Sequence, residues 1–240
     1  MRTIITMLVC VSFVNCAAKA AAENLAAQQR KAELAVALSE LNTPQQESSY
    51  IEHPGWHKPE VREKLKNFAT KYPNTEEAIT AELWLATAEL EAGQAVSDRA
   101  KRSENMLTVA STFSRVIEAS PQSWQAKAAH IGRVSALFGA KRWRDFRAET
   151  DDMLTRIAEY KGESNAAYLE FLRAHKMSGS DIEPESHWML IVAATCEDKT
   201  SEAIALAESL QAKFPEWSTK RKLAGTIELL KLGKKPFGCN

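Results

Sequence analysis

The chain has 240 residues, 45% of them apolar, and its 31 basic and 31 acidic side chains leave no formal net charge. That is enough apolar material for one sizeable core or a short row of stacked helix pairs. The balanced charge excludes a global field that would draw the chain to nucleic acid or an anionic membrane, and nine glycines and eight prolines are few for this length, which suits long helices with short connections.

In chain order, Met1-Arg2 is a short positive start and Ile4 to Val14 an apolar run of secretory length. Ala18-Lys19-Ala20 places small residues at the two positions a signal peptidase reads, with Ala20-Ala21-Ala22 as a nearby alternative. Residues 1–20 are therefore expected to be a cleaved export signal, placing the rest in the periplasm or cell envelope. The run is too short for a permanent bilayer span, so no transmembrane helix is expected in the mature chain. Phe13-Val14-Asn15-Cys16 offers lipid attachment at Cys16 as a second reading. Asn15 disfavours it, because the residue before such a cysteine is normally small.

Residues 21–58 are expected to hold one helix, over 23–42, and a loop rich in proline. Residues 59–233 form the main helical domain, and 234–240 a flexible tail. Pro59 suits the first turn of a helix that turns Val61, Leu65 and Phe68 inward and stops at Tyr72-Pro73. Asn74 or Thr75 caps the next, with Ile79, Leu83, Ala86 and Leu90 inward and Gly93 as its stop. Ser97 or Asp98 starts a helix that ends at Ser120-Pro121. Further helices are predicted over 122–138, ended by Gly139, over 142–160, ended by Gly162, and over 163–177. Pro184 opens one that runs to Cys196, Thr200 or Ser201 caps another through Phe214, and 216–232 is the last, stopped by Gly233. No alternating strand pattern of useful length follows the apolar start. The prediction is all-α, about ten helices joined mainly by short connections, which favour antiparallel neighbours.

Three of these helices align on a following proline. Before Pro73, Pro121 and Pro215 the same offsets hold Val61, Val109 and Ala203, then Leu65, Phe113 and Ala207, then Phe68, Val116 and Leu210. Lys71-Tyr72-Pro73-Asn74 and Lys213-Phe214-Pro215-Glu216 share an aromatic-proline closure. The pattern resembles the second helix of a tetratricopeptide repeat, and Trp84 and Trp188 lie near the aromatic position of that family's first helix. The prolines are 48 and 94 residues apart, not multiples of the family's period of about 34. Ile191-Val192 and Thr87-Ala88 stand where the family has Leu-Gly. The resemblance is strongest over 58–93 and 184–232. It implies a divergent right-handed solenoid of stacked pairs, with a groove for a protein or peptide partner. Leu232-Gly233-Lys234-Lys235-Pro236-Phe237 resembles the segment that leads from a helical region into the thioredoxin domain of TlpA-like exported proteins. That resemblance implies a helical module of a thiol–disulfide system without its redox domain.

Removal of residues 1–20 leaves two cysteines, Cys196 and Cys239. An exported compartment permits a bridge between them; the other reading is a buried free Cys196 and a frayed Cys239. No Cys-x-x-Cys pair occurs. His53-Pro54-Gly55-Trp56-His57 is the most unusual local cluster. Pro54 and Gly55 break the helix that would let the histidines share a metal, so the cluster reads first as a loop with Trp56 packed on the helices and the histidines solvated; the other reading is a binding loop of His53, Trp56 and His57. Lys141-Arg142-Trp143-Arg144-Asp145-Phe146-Arg147 mixes cations and rings as single-strand binders do. Trp143, Phe146 and Thr150 nevertheless fall on one inward face, and the arginines on others, with cation–π contacts expected. His130, His175 and His187 stand singly. The sequence has no Gly-x-Ser-x-Gly elbow, phosphate loop or His-Glu-x-x-His. No catalytic residue, metal or cofactor is expected. The predicted activity is non-catalytic binding of a protein or peptide, with no nucleic acid; the alternatives are the thioredoxin-associated module and, third, an enzyme.

Overall fold

The computed structural model describes residues 2–41, 58–175, 177–237 and 239. Every regular element among them is an α-helix, and the helices pack in pairs. The chain divides into two units, Met1–Ala88 and Glu89–Asn240.

The first unit holds α1 (Arg2–Leu41), α2 (Pro59–Lys71) and most of α3 (Glu76–Gln94). Pro59 starts α2, and Val61, Leu65 and Phe68 are buried at helical spacing. The helix stops because Pro73 pushes Tyr72 out of the α region, to φ −124° and ψ 55°. Thr75 then brackets the turn. Its hydroxyl donates to Tyr72 O at 2.8 Å and accepts from Ala78 N at 3.2 Å, which meets one of the orphan donors of α3. Glu33 of α1 receives Lys71 Nζ at 3.0 Å and the Tyr72 hydroxyl at 2.7 Å. Those two hydrogen bonds, Tyr72 first, hold its carboxyl below the usual range. Arg30 reaches Glu77 of α3 at 3.2 Å.

The second unit continues with α4 (Arg99–Ala119), α5 (Trp124–Gly139), α6 (Trp143–Thr155), α7 (Ile157–Lys161), α8 (Ala166–Ala174), α9 (Ile182–Cys196), α10 (Thr200–Lys213), α11 (Pro215–Lys220) and α12 (Leu223–Lys231). Asp98 caps α4, accepting from Ala100 N at 2.9 Å and Lys101 N at 3.1 Å. The turn into α5 repeats the hydroxyl bracket: Ser123 donates to Ser120 O at 2.7 Å and accepts from Ala126 N at 3.1 Å. α4 and α5 approach closely. A Cβ on Gly132 would overlap the Phe113 ring, and one on Gly93 the end of the Met106 side chain; one on Gly139 would sit 3.1 Å from Met106 Sδ.

Gly93 and Gly139 were expected to stop helices. Gly139 is the last residue of α5 and Gly93 the last but one of α3, and both also make room for Met106. The stop of α5 is Lys141, left-handed at φ 56°. Lys141 N donates to Phe138 O and Arg142 N to Leu137 O, both at 3.0 Å, the paired bonds of a Schellman end. Asp198, at φ 61°, closes α9 in the same way, and Gly233, at φ 69°, closes α12. Because Asp198 and Lys199 already set the entry to α10, that helix begins at Thr200 with no side-chain cap. α8 starts at Ala166, later than expected, where the Asn165 side chain accepts from Ala167 N at 2.9 Å.

Two single helices expected over 142–160 and 216–232 are each broken, at Arg156 and at Lys222, giving twelve helices among the described residues rather than about ten. Lys222 is left-handed at φ 54°. The reason is phase. On one continuous helix the buried Ser218 and Leu223 would point about 140° apart, and the left-handed residue re-aims α12 onto α10. Ile191, Ala194, Ala203, Ala207, Leu210, Leu223, Ile227 and Leu230 form the core there. All nine residues of the proline alignment are buried. No helix among the described residues is long and apolar enough to cross a membrane.

Candidate functional site

The third closure does not behave like the other two. Pro215 follows Phe214 directly into α11, at a position where its missing N–H costs nothing. That immediate restart leaves Phe214 and Trp217 half-buried and Pro215 exposed. They line an open cleft of about 430 Å³, shared with Pro184, Asp181, Lys213 and Lys220. Lys213 Nζ lies 5.4 Å over the Phe214 ring and the Arg221 guanidinium 5.3 Å over Trp217. Behind them Trp188 meets Trp217 at 6.2 Å and Phe237 at 5.1 Å, ring centre to ring centre. The floor is thus aromatic and proline, and the walls carry both signs of charge.

Beneath this cleft Glu183, almost fully buried, accepts Lys161 at 3.2 Å and Lys213 at 2.5 Å. Burial opposes its ionisation, but the two lysine hydrogen bonds prevail and hold its carboxyl below the usual range. His187, 6.5 Å from Phe214 ring to ring, is pushed down by burial and by Lys213, so it is neutral at pH 7.

Cys196 and Cys239 are brought together in a disulfide that closes a 43-residue separation, with 4.9 Å between the Cα atoms. Phe237 packs on Trp188, and Lys235 meets Asp198 at 2.5 Å. The tail expected to be flexible is held at these three points. Sequence spacing gave no sign of Phe237 on Trp188.

A second cleft, of about 320 Å³, opens among α5, α6, α8 and α9. Met153, Met177, Met189 and His175 line it, and an ion pair between Glu185 and Arg221 stands at its edge. Sequence reasoning treated His175 singly and passed over the methionines. They lie on three different elements, and only folding gathers them.

The remaining candidates fall elsewhere. His130 donates from Nδ1 to Glu149, which also takes Arg133 at 2.8 Å. Tyr160, beside it at 6.4 Å, is raised to about 12 by burial. In the basic segment, Phe146 and Thr150 are buried and Trp143 half-buried against Phe138 at 5.6 Å. Arg147 does not stack as expected. It pairs with Glu197 and Glu202, both at 2.7 Å, tying α6 to the α9–α10 turn. His53, Trp56 and His57 lie outside the described residues. Among the described residues no three His, Cys, Asp or Glu side chains gather as a metal-binding group. Comparison with family models, curated proteins and solved structures finds no match to this chain.

Proposed function

We propose that the chain is a non-catalytic helical scaffold of the periplasm or cell envelope, exported by residues 1–20, that holds a protein or peptide partner. The tetratricopeptide-like reading is supported by the burial of all nine aligned residues and by the shared brackets at Thr75 and Ser123. The observation that carries the binding role is the cleft at Phe214, Pro215 and Trp217. Half-exposed aromatic rings beside a proline are the anchors that dominate binding energy at protein surfaces, and aromatic-lined grooves take extended, proline-containing segments. Lys213, Lys220, Asp181 and Glu216 at its margin would set register rather than affinity.

The test places a photo-crosslinking residue at Lys220 in the full chain, within an envelope fraction. A discrete adduct should form and fall by about tenfold in the Trp217→Ala variant, as loss of one anchor predicts. The same residue placed at Lys101, on α4, is the control. Equal adducts from both positions, or an adduct indifferent to Trp217→Ala, would refute this site.

A second reading, a module that works with a thioredoxin-like protein, is favoured by one observation. The Cys196–Cys239 bridge is half-exposed and ties the end of α9 to the chain just beyond the Gly233 to Phe237 segment. Trapping with a thioredoxin that lacks its resolving cysteine should then give a mixed disulfide through Cys239. A trap that captures control proteins but not this chain excludes it.

A further inference from the structure

The tail beyond α12 is fastened at its far end. Lys234 N donates to Leu229 O at 2.9 Å, which completes the helix stop. Among the described tail residues the one further backbone–backbone hydrogen bond is internal, Cys239 N to Phe237 O at 2.7 Å. Lys235 meets Asp198 at 2.5 Å, but the two side chains are 44% and 75% exposed, and exposed pairs hold little. Two firmer ties remain. The Phe237 ring stands edge-on to Trp188, 5.1 Å away centre to centre at 88°, and Cys239 is bonded to Cys196. Trp188 in turn lies 6.2 Å from Trp217, which lines the open cleft. Phe237, Trp188 and Trp217 thus form one row of rings that ends in that cleft.

We propose that Lys235, Pro236 and Phe237 are a built-in ligand covering the Trp188 end of the partner surface, and that the Cys196–Cys239 bridge is the catch that keeps them there until a dithiol protein opens it. The inference rests on the reading of the Phe214–Trp217 cleft as the partner site. The tail also says which partner fits. It offers a proline and an aromatic ring to an aromatic surface, with a lysine on Asp198. The segment that replaces it is extended and carries the same Lys-Pro-aromatic chemistry. Phe237 is six residues past the end of α12 at Lys231, so the tail competes at high effective concentration, and pinning its other end removes its freedom to leave. Both cysteines are half-exposed, so a dithiol can reach the bridge. One thiolate of the dithiol attacks Cys239 Sγ to form a mixed disulfide, and Cys196 leaves as a thiolate and takes a proton. The second thiol then closes on the first sulfur, and Cys239 leaves in the same way. Two electrons and two protons pass to the bridge, and the dithiol ends as a disulfide.

The probe is a fluorescein-tagged peptide of residues 231–240 carrying Cys239→Ser, and dithiothreitol is the reductant. In the full chain labelled with fluorotryptophan, reduction should shift the fluorine resonances of Trp188 and Trp217 and leave that of Trp84 in place. The peptide should bind the reduced chain about tenfold more tightly than the oxidised chain, and a Phe237→Ala peptide should bind neither. The Phe237→Ala chain keeps the bridge, and with it the fold, and should admit the peptide without reductant. An unmoved Trp188 resonance after complete reduction, equal peptide affinity in the two states, or no gain in the Phe237→Ala chain would each overturn the proposal. Lost helix content on reduction, together with a Phe237→Ala chain that refuses the peptide, would overturn it too, by making the bridge a structural tie alone. The Lys220 crosslink separates this inference from the reading beneath it. An adduct of equal yield in both redox states keeps the partner cleft and overturns the catch. No adduct in either state, beside a peptide that binds as expected, refutes the cleft reading and supports the tail on Trp188.

Discussion

The α4–α5 pair and the α10–α12 region are built on helices that look alike from the inside, yet they are closed by different means. Val109, Phe113 and Val116 face inward from α4 as Ala203, Ala207 and Leu210 do from α10. In the first pair the large side chains are on α4, and glycines on the neighbouring helices let the backbones approach. The pair then turns through Ser120-Pro121 with a hydroxyl bracket at Ser123. The small residues of α10 leave less to pack in the second region. It relies on α11, a left-handed Lys222, stacked aromatic rings and a disulfide. One region is held by shape and the other by a covalent tie. The second leaves Phe214 and Trp217 half-buried at an open cleft.

Variants can break this contrast. The largest effect is expected from Phe113→Ala, which empties the centre of the α4–α5 pair and should cost about 4 kcal/mol in chemical denaturation. A value under about 1 kcal/mol would mean the glycine contacts do not hold that pair. Cys239→Ser removes a 43-residue closure and should cost about 3 kcal/mol, with the loss confined to the C-terminal helices in hydrogen exchange. Gly132→Ala adds one methyl against the Phe113 ring and should cost about 2 kcal/mol. Ser123→Ala should cost about 1 kcal/mol by loss of the bracket, while Thr219→Ala, which removes only an exposed hydroxyl bonded to Pro215 O within α11, should cost far less. The smallest effect is a gain. Lys141→Gly relieves a left-handed side chain and should raise the melting temperature by an amount equivalent to about 1 kcal/mol.

Acid should separate the regions as well. Glu183 and Glu197 are both held below the usual carboxylate range by their Lys and Arg partners, against the opposing effect of burial. Their contribution is complete above the unfolded-state value of about 4.3 and is lost as pH falls through the lower folded value. Both anchor α9, so helix content near it should fall on acidification.

The sequence showed much of this directly where a local signal was decisive. Ser97 or Asp98 and Ser120-Pro121 bounded α4, of which the structure takes Asp98, and Pro59 and Tyr72-Pro73 bounded α2. It was incomplete at Gly93 and Gly139, which stand at helix ends as expected but also admit Met106, a contact no one-dimensional pattern records. The left-handed stops at Lys141 and Asp198 carry no glycine to announce them. The break at Lys222 is a matter of phase against α10, which no local pattern records. Of the candidate site, the Phe214-Pro215 closure was visible but its exposure was not. The methionine cleft was hidden because Met153, Met177 and Met189 belong to three elements. The Cys196–Cys239 pairing was an open choice, and proximity decides it.

The disulfide also sets how this end of the molecule would bear a pull. Tension applied beyond Cys239 passes through the sulfur bridge into Cys196 and on to α9, and the segment carrying α10, α11 and α12 lies outside the force path. Stretched to rupture with the bridge intact, the chain would come up short by about 150 Å of contour, the extended length of the 43 residues it encloses. Reduction would return that length in a single step.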